Sequence, residues 1–364
     1  MRRRTRRRLL WLTGLAIAAV AIALGVTLTD GDESEAPADG GDTPAADIPP
    51  ADASPAEAPS DDGDGHGEGG ATTAPAPKPS PKIPPSGPPM AERDARRAYD
   101  EGMQLVEDGK LIDARTKLSA AVFSDHLPEE HAEKARQTLW ELARRTIFSS
   151  RAYPDDPYTL MYRFKRGDRL ADKRVNGKAV PGIVNGMDLR VPAAAILLAN
   201  GIPASKLQAG GSYKLIRGPF HVTVHKSKFV MDVFLQRAGE DWPRTFVRRL
   251  PVGLGRNGST PVGSWVVDAK ARRAAWYPPP ETGLRGPIHP GDPDYAFGEK
   301  GLWISMKGID KNTRGHDGYG IHSTDDPSSI GEESSLGCIR LPDEGIDFVY
   351  KVLYEGHSTV YIRP

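Results

Sequence analysis

The stretch Gly318-Tyr319-Gly320-Ile321-His322-Ser323-Thr324, followed after a short polar run by Ser335-Leu336-Gly337-Cys338-Ile339-Arg340-Leu341, holds the only cysteine among 364 residues. A lone cysteine closes no intramolecular disulfide, so Cys338 is an inert buried thiol, an intermolecular link or a nucleophile. A free thiol ionises near pH ~8.5 and needs a base or a positive field to react at neutral pH. His322 is the side chain that can supply the base. Gly337 removes a Cβ just before the sulfur, which permits a tight turn and close approach of another backbone. Successive amides in such a turn can converge on one oxyanion. Buried cysteines that do no chemistry are common, so the Gly-Cys pair by itself leaves both readings open.

Outward from this stretch the chain alternates as β-strands do. His221–Val224 and Phe229–Leu235 flank a Lys226-Ser227-Lys228 turn and predict a hairpin. Phe246–Gly253 and Thr260–Val267 follow as further strands around a glycine-rich turn, and Leu302–Met306 leads into the histidine loop. Asp343–Tyr350 predicts a helix and Ser358–Ile362 a closing strand. Between them, Ala269–Gly301 is long and polar, with Trp276, Tyr277, three consecutive prolines and Tyr295. Insertions of this length in a compact domain are expected to act as lids or binding loops.

Taken together, Gly320-Ile321-His322-Ser323-Thr324 and Ser335-x-Gly337-Cys338-Ile339-Arg340-Leu341 resemble the signature of the L,D-transpeptidase (YkuD-type) catalytic domain. Pro251-Val252-Gly253-x-Gly255 and Thr260-Pro261-Val262-Gly263-Ser264-Trp265 fit the same family's order, so the resemblance spans about 219–364. It implies a mainly β catalytic domain, a sandwich or barrel with short helices. It also implies thiol acyl transfer on peptidoglycan stem peptides. Cys338 attacks the carbonyl of the third stem residue, terminal D-alanine leaves, and an acceptor amine resolves the thioester. His322 moves the protons, the Ser323 carbonyl orients the imidazole, and the Gly337 and Cys338 amides are the expected oxyanion donors. Arg340, Tyr319, Ser335 and Leu336 are the expected substrate-side residues. Leu336 departs from the pattern, because many members carry a second histidine there. His316 is a rival base outside the matched motif. A zinc site from His316, His322 and Cys338 lacks suitable spacing and carboxylate support, so neither metal nor cofactor is expected. Water in place of the amine would make the protein an L,D-carboxypeptidase. A degenerate domain would leave a non-catalytic wall-binding scaffold.

Upstream, Tyr162-x-Phe164-x-x-Gly167-Asp168-x-Leu170, the run Val191–Leu198, Asn200 and Leu207-x-x-Gly210-Gly211-x-Tyr213-x-Leu215 resemble a LysM module over 158–217, a small βααβ fold that binds glycan strands. An insertion between Asp172 and Leu189 interrupts it. Residues 90–150 carry three helical runs, and Tyr99-x-x-Gly102 with Gly109-Lys110-Leu111-x-x-Ala114 resembles a tetratricopeptide (TPR-like) hairpin, a candidate site for a protein partner.

The six arginines within residues 2–8 and the uncharged stretch 9–29 predict a cytoplasmic basic end and one transmembrane anchor, with a cleaved signal peptide as the alternative. On that reading the protein sits at the inner membrane with its catalytic part in the periplasm or cell envelope. Residues 30–89 are acidic, then proline-rich, contain no aromatic residue, and are expected to be a disordered tether. The formal net charge of zero gives no pull toward nucleic acid.

Overall fold

The computed structural model describes residues 90–364 apart from Gly177, Ala238, Asp241, Trp242 and Pro279. Three helices come first: α1 (Glu92–Glu107), α2 (Leu111–Phe123) and α3 (Glu129–Thr146). Ala95, Ala98, Tyr99 and Gly102 of α1 are buried at i, i+3, i+4 and i+7, one stripe of an amphipathic helix. In α3, Glu129 and Glu130 sit in the first turn and Arg144 and Arg145 in the last, each sign facing the end of the helix dipole that favours it.

Next come β1 (Thr159–Arg163), the short strands β2 (Lys173–Val175) and β3 (Lys178–Val180), α4 (Ile183–Gly186), α5 (Ala193–Asn200) and β4 (Ser212–Ile216). β1 and β4 pair antiparallel, from Thr159 opposite Ile216 to Arg163 opposite Ser212. The order is thus strand, hairpin, one-turn helix, helix and strand, and the helix expected to start just after Gly167-Asp168 is replaced by the hairpin. The first strand begins three residues earlier than its sequence pattern, and the insertion forms the exposed β2–β3 hairpin.

The remaining chain supplies β5 (Phe220–His225), β6 (Val230–Gln236), β7 (Arg244–Pro251), β8 (Leu254–Gly255), β9 (Gly263–Ala271), β10 (Trp303–Gly308), β11 (Gly320–His322), β12 (Glu333–Ser335), β13 (Ile339–Arg340), α6 (Asp343–Val352) and β14 (Thr359–Arg363). Eight of these strands form one mixed sheet in the order β13-β11-β10-β9-β14-β5-β6-β7, and β12 pairs separately with β8. β14 lies parallel to β5, and β11 parallel to β13. The sheet's apolar face and α6 share a core that includes Val222, Trp265, Ile304, Ile339 and Ile346, all fully buried. That core continues into the β1–β4 module through Leu215, Ile216 and Ile196.

The helices close the other end of the sheet. β7 is an edge strand, and open edges invite pairing with other chains. α2 and α3 cover it: Phe246 is buried among the helix residues, and its N–H donates to Ser119 Oγ at 3.1 Å. A buried ionic cluster fixes the joint. Arg115 of α2 donates to both oxygens of Asp156, at 2.6 and 3.2 Å, and to Thr146 of α3 at 2.8 Å. Lys214 of β4 reaches the Thr146 carbonyl at 2.8 Å.

The expected placement at an inner membrane requires correction. Among the described residues no helix is long and apolar enough to cross a membrane. The stretch 9–29 and the tether 30–89 lie outside the described residues.

Candidate active site

β11 carries His322 into the sheet between β10 and β13, with His322 opposite Trp303 on one side and Arg340 on the other. Cys338 immediately precedes β13. Side chains alternate along a strand, so His322, Cys338 and Arg340 occupy the same side of the β11–β13 pair.

The polar insertion supplies a roof that its composition does not announce. Ala274, Ile288, Tyr295, Phe297 and Trp303 form a small buried cluster, and Cys338 packs against it half-buried. The Phe297 ring lies 4.7 Å from the His322 ring, and Trp303 stacks on the histidine at 5.7 Å. Trp276 and Ile288 exchange backbone hydrogen bonds of 2.8 Å, and the Tyr295 hydroxyl donates to the Ala274 carbonyl at 2.6 Å. Ser323 is buried, and its hydroxyl donates to the Phe297 carbonyl, holding the roof onto the histidine loop.

The polar contacts define the state of His322 and Cys338. His322 Nδ1 lies 2.5 Å from the Ser323 carbonyl. A carbonyl only accepts, so Nδ1 carries the hydrogen and Nε2 presents its lone pair. Burial beneath the aromatic roof pushes the imidazole down to about 4, against the raising effect of the Ser323 carbonyl. Burial likewise pushes the Cys338 thiol up to about 11, against a hydrogen bond from the Gly320 backbone and the nearby charge of Arg340. At neutral pH the pair rests as thiol and imidazole.

The turn before the sulfur is braced from both sides. Gly337 has φ +145°, a region closed to most side chains, and a Cβ there would lie 2.5 Å from the Tyr319 ring. Its carbonyl accepts from Thr260 Oγ1 at 2.9 Å, and the same Thr260 oxygen accepts from the Gly255 N–H at 2.8 Å. A Cβ on Gly255 would come within 2.7 Å of the Gly337 Cα, so this glycine lets the supporting loop reach the cysteine turn.

Other expected site residues divide by position. Ser335, expected on the substrate side, is buried; its hydroxyl donates to the Cys338 carbonyl at 2.7 Å and accepts from the Gly337 N–H at 3.1 Å. It therefore holds the turn, and the Gly337 amide is already committed to it. Leu336, two residues before Cys338, is 43 % exposed. Tyr319 is half-buried against Trp265 at 5.3 Å. His316 is exposed beyond Tyr319. Arg340 is fixed by reciprocal 2.9 Å backbone bonds with Gly253. Its Nη1 reaches Ser334 Oγ at 3.3 Å, its Nε is buried without a partner, and among the described residues no carboxylate forms an ion pair with it. Phe297, Trp303 and Thr260 were not singled out as site residues from sequence. Thr260 stood in the matched motif as a signal, whereas nothing marked Phe297 within its polar surroundings.

Residues 219–362 match the family model of the YkuD L,D-transpeptidase catalytic domain. The chain also shows 27% identity over 195 residues to the putative L,D-transpeptidase YkuD of Bacillus subtilis (strain 168), covering 51% of this chain and 89% of that protein. Among solved structures, an L,D-transpeptidase from Mycobacterium smegmatis is similar at 17% identity and a TM-score of 0.26, over 43% of this chain and 64% of that one. L,D-transpeptidase 1 of Mycobacterium tuberculosis is similar at 18% identity and a TM-score of 0.26, over 42% and 67%. Bdellovibrio bacteriovorus Bd1075 is similar at 15% identity and a TM-score of 0.29, over 40% of this chain and 47% of that one. This chain thus spans about half to two thirds of the length of these solved chains. Structural likeness this slight carries no argument.

Proposed function

We propose that the YkuD-type domain is a cysteine-dependent L,D-transpeptidase acting on peptidoglycan stem peptides. The observation that carries this reading is that Cys338 and the His322 ring pack against the same Phe297–Trp303 cluster, with His322 Nε2 left as the basic nitrogen.

Because both groups rest neutral, the thiol loses its proton as it attacks and not beforehand. The Cys338 Sγ–C bond forms while His322 Nε2 takes the thiol proton. The amide C–N bond then breaks, and the leaving D-alanine amine takes that proton from His322. An acceptor amine next attacks the thioester, gives its proton to His322, and the C–S bond breaks to regenerate the thiol. The Cys338 N–H is the proposed oxyanion donor, since the Gly337 N–H is held by Ser335. Arg340, with no ion-pair partner within 4 Å among the described residues, is proposed to take a substrate carboxylate. Exposed Leu336 offers an apolar contact at the same opening. The LysM-like module from β1 to β4 is proposed to hold the glycan strand, and α1–α3 to brace the β7 edge.

The test is incubation of the full chain with tetrapeptide muropeptides, followed by mass analysis of protein and products. Wild type should carry a Cys338 acyl adduct and form dimers. Cys338→Ser should lose both by about a thousandfold or more while keeping its fold. Trimmed monomers without dimers would reassign the activity to L,D-carboxypeptidase. Folded wild-type protein that forms no adduct would reject catalysis and leave the scaffold reading.

A further inference from the structure

The seam between the β1–β4 module and the catalytic domain holds a cavity of about 460 Å³, inside the range of about 300–1,000 Å³ usual for small-ligand sites. Val184 of α4 and Ala193 and Ala194 of α5 line it from the module, and Lys270 of β9 with Tyr354 and Glu355, just after α6, line it from the catalytic domain. The Lys270 side chain is only 8 % exposed, and its ammonium donates to the Tyr350 and Leu353 carbonyls at 3.0 and 2.8 Å. An ammonium has three hydrogens, so one is left over, and the Glu355 carboxylate at 3.8 Å stands beyond hydrogen-bond length. A relay of polar groups ties the two domains at the same place. The Tyr354 hydroxyl donates to Asn185 Oδ1 at 3.0 Å, Asn185 Nδ2 donates to Asp172 Oδ2 at 2.8 Å, and Asp172 Oδ1 accepts from the Gly182 N–H at 2.7 Å. α5 starts on Pro192 without a capping side chain, which leaves its first amides to an outside acceptor.

A second cavity, of about 410 Å³, lies on the module itself and is lined by Phe164, Leu170, Leu197 and Leu207 among others. The two cavities share Ala171, Asp172 and Ala193, so they adjoin. Charge at the seam is balanced: Lys270 stands against Glu355, and the Asp172 carboxylate is satisfied by Gly182 and Asn185. Such a lining has little to hold an ion. It offers donors and acceptors beside small apolar side chains, the complement of a neutral amino sugar with its hydroxyls and its N-acetyl methyl. We propose that the seam cavity is a second saccharide subsite, which takes an N-acetylated hexosamine of a strand whose neighbouring sugars occupy the module's own cavity. The proposal rests on the reading of the β1–β4 module as the holder of the glycan strand. It adds that Lys270, Tyr354 and Glu355 of the catalytic domain take part, so that a strand bound across the seam is held by both domains at once.

Titration calorimetry of the full chain with N-acetylglucosamine oligomers tests it. The hexamer should bind about tenfold tighter than the dimer, because only the longer oligomer reaches both cavities. Ala194→Trp fills the seam from a helical position, and Tyr354→Phe removes one hydroxyl while keeping the ring. They should lower hexamer affinity by about tenfold and about threefold respectively. Dimer affinity should stay unchanged in both, which also shows that the module is folded. Leu207→Glu, in the module's own cavity, should weaken dimer and hexamer alike. Hexamer binding no tighter than dimer binding, or indifferent to both seam variants, would overturn the seam subsite and leave the module reading standing. Failure of wild type to bind either oligomer would overturn both. Displacement of the hexamer by free stem tetrapeptide from wild type, but not from Ala194→Trp, would overturn the proposal by assigning the cavity to peptide.

Discussion

His322 is buried neutral, and its low pKa follows chiefly from desolvation under Phe297 and Trp303. The form that accepts a proton is the neutral one, so activity should be retained as pH falls through 6.5 and lost only as it approaches about 4. Carbapenem acylation rates measured against pH check this. Phe297→Ala should let water reach the ring and move the acid limb upward toward 6.5, while an unmoved limb would exclude the roof as the cause. Gly337 sets a second limit. Gly337→Ala forces a Cβ into the Tyr319 ring at a φ few side chains adopt, so it should cost about 1–3 kcal/mol in urea unfolding and slow acylation sharply. Cys338, His322 and this glycine were all singled out by the sequence, because each is a fixed chemical or conformational type at a fixed spacing. The commitments of Ser335 and of the Gly337 amide to the turn were not, since a hydrogen bond over two residues depends on backbone angles.

Among the elements, strands β5, β6, β7, β9, β10 and β14 and helix α6 were readable from alternation and helical spacing, with ends shifted by a few residues. The segment after β9 was readable only as a long insertion. Its hydrophobic cluster draws on Ala274, Ile288, Tyr295 and Phe297, which show no period of 2 or 3.6, so no local pattern betrays it. Arg115 and Asp156 are a similar case. Either alone reads as a solvated charge, yet both are almost fully buried and satisfy each other across α2 and the start of β1. Asp156→Ala would leave the guanidinium buried without its carboxylate, and should cost about 3–5 kcal/mol in urea unfolding. A loss below 1 kcal/mol would show that the joint between helices and sheet does not depend on it.

For the whole molecule, two imidazoles, buried His322 and half-buried His221, tie stability to pH. His221, stacked on Phe234 and accepting from the Thr359 N–H, is pushed down to about 3, and His322 to about 4. Unfolded, each binds a proton near 6.5, so below that pH the unfolded state holds more protons. Stability contributed by these groups is therefore full above about 6.5 and lost progressively as pH falls toward 4 and then 3. Melting temperature should drop across this window by an amount corresponding to about several kcal/mol, and less in a variant lacking His221. Sequence by itself determined the motif of the cysteine stretch, the order of most strands and helices, and the charge polarity of the chain, because these depend on residue type and short spacing. Tertiary structure alone decided that the insertion roofs the site, that α2 and α3 cover the β7 edge, and that the imidazole and thiol rest neutral. Burial and desolvation arise from residues distant in the chain, and no local pattern encodes which distant residues will meet.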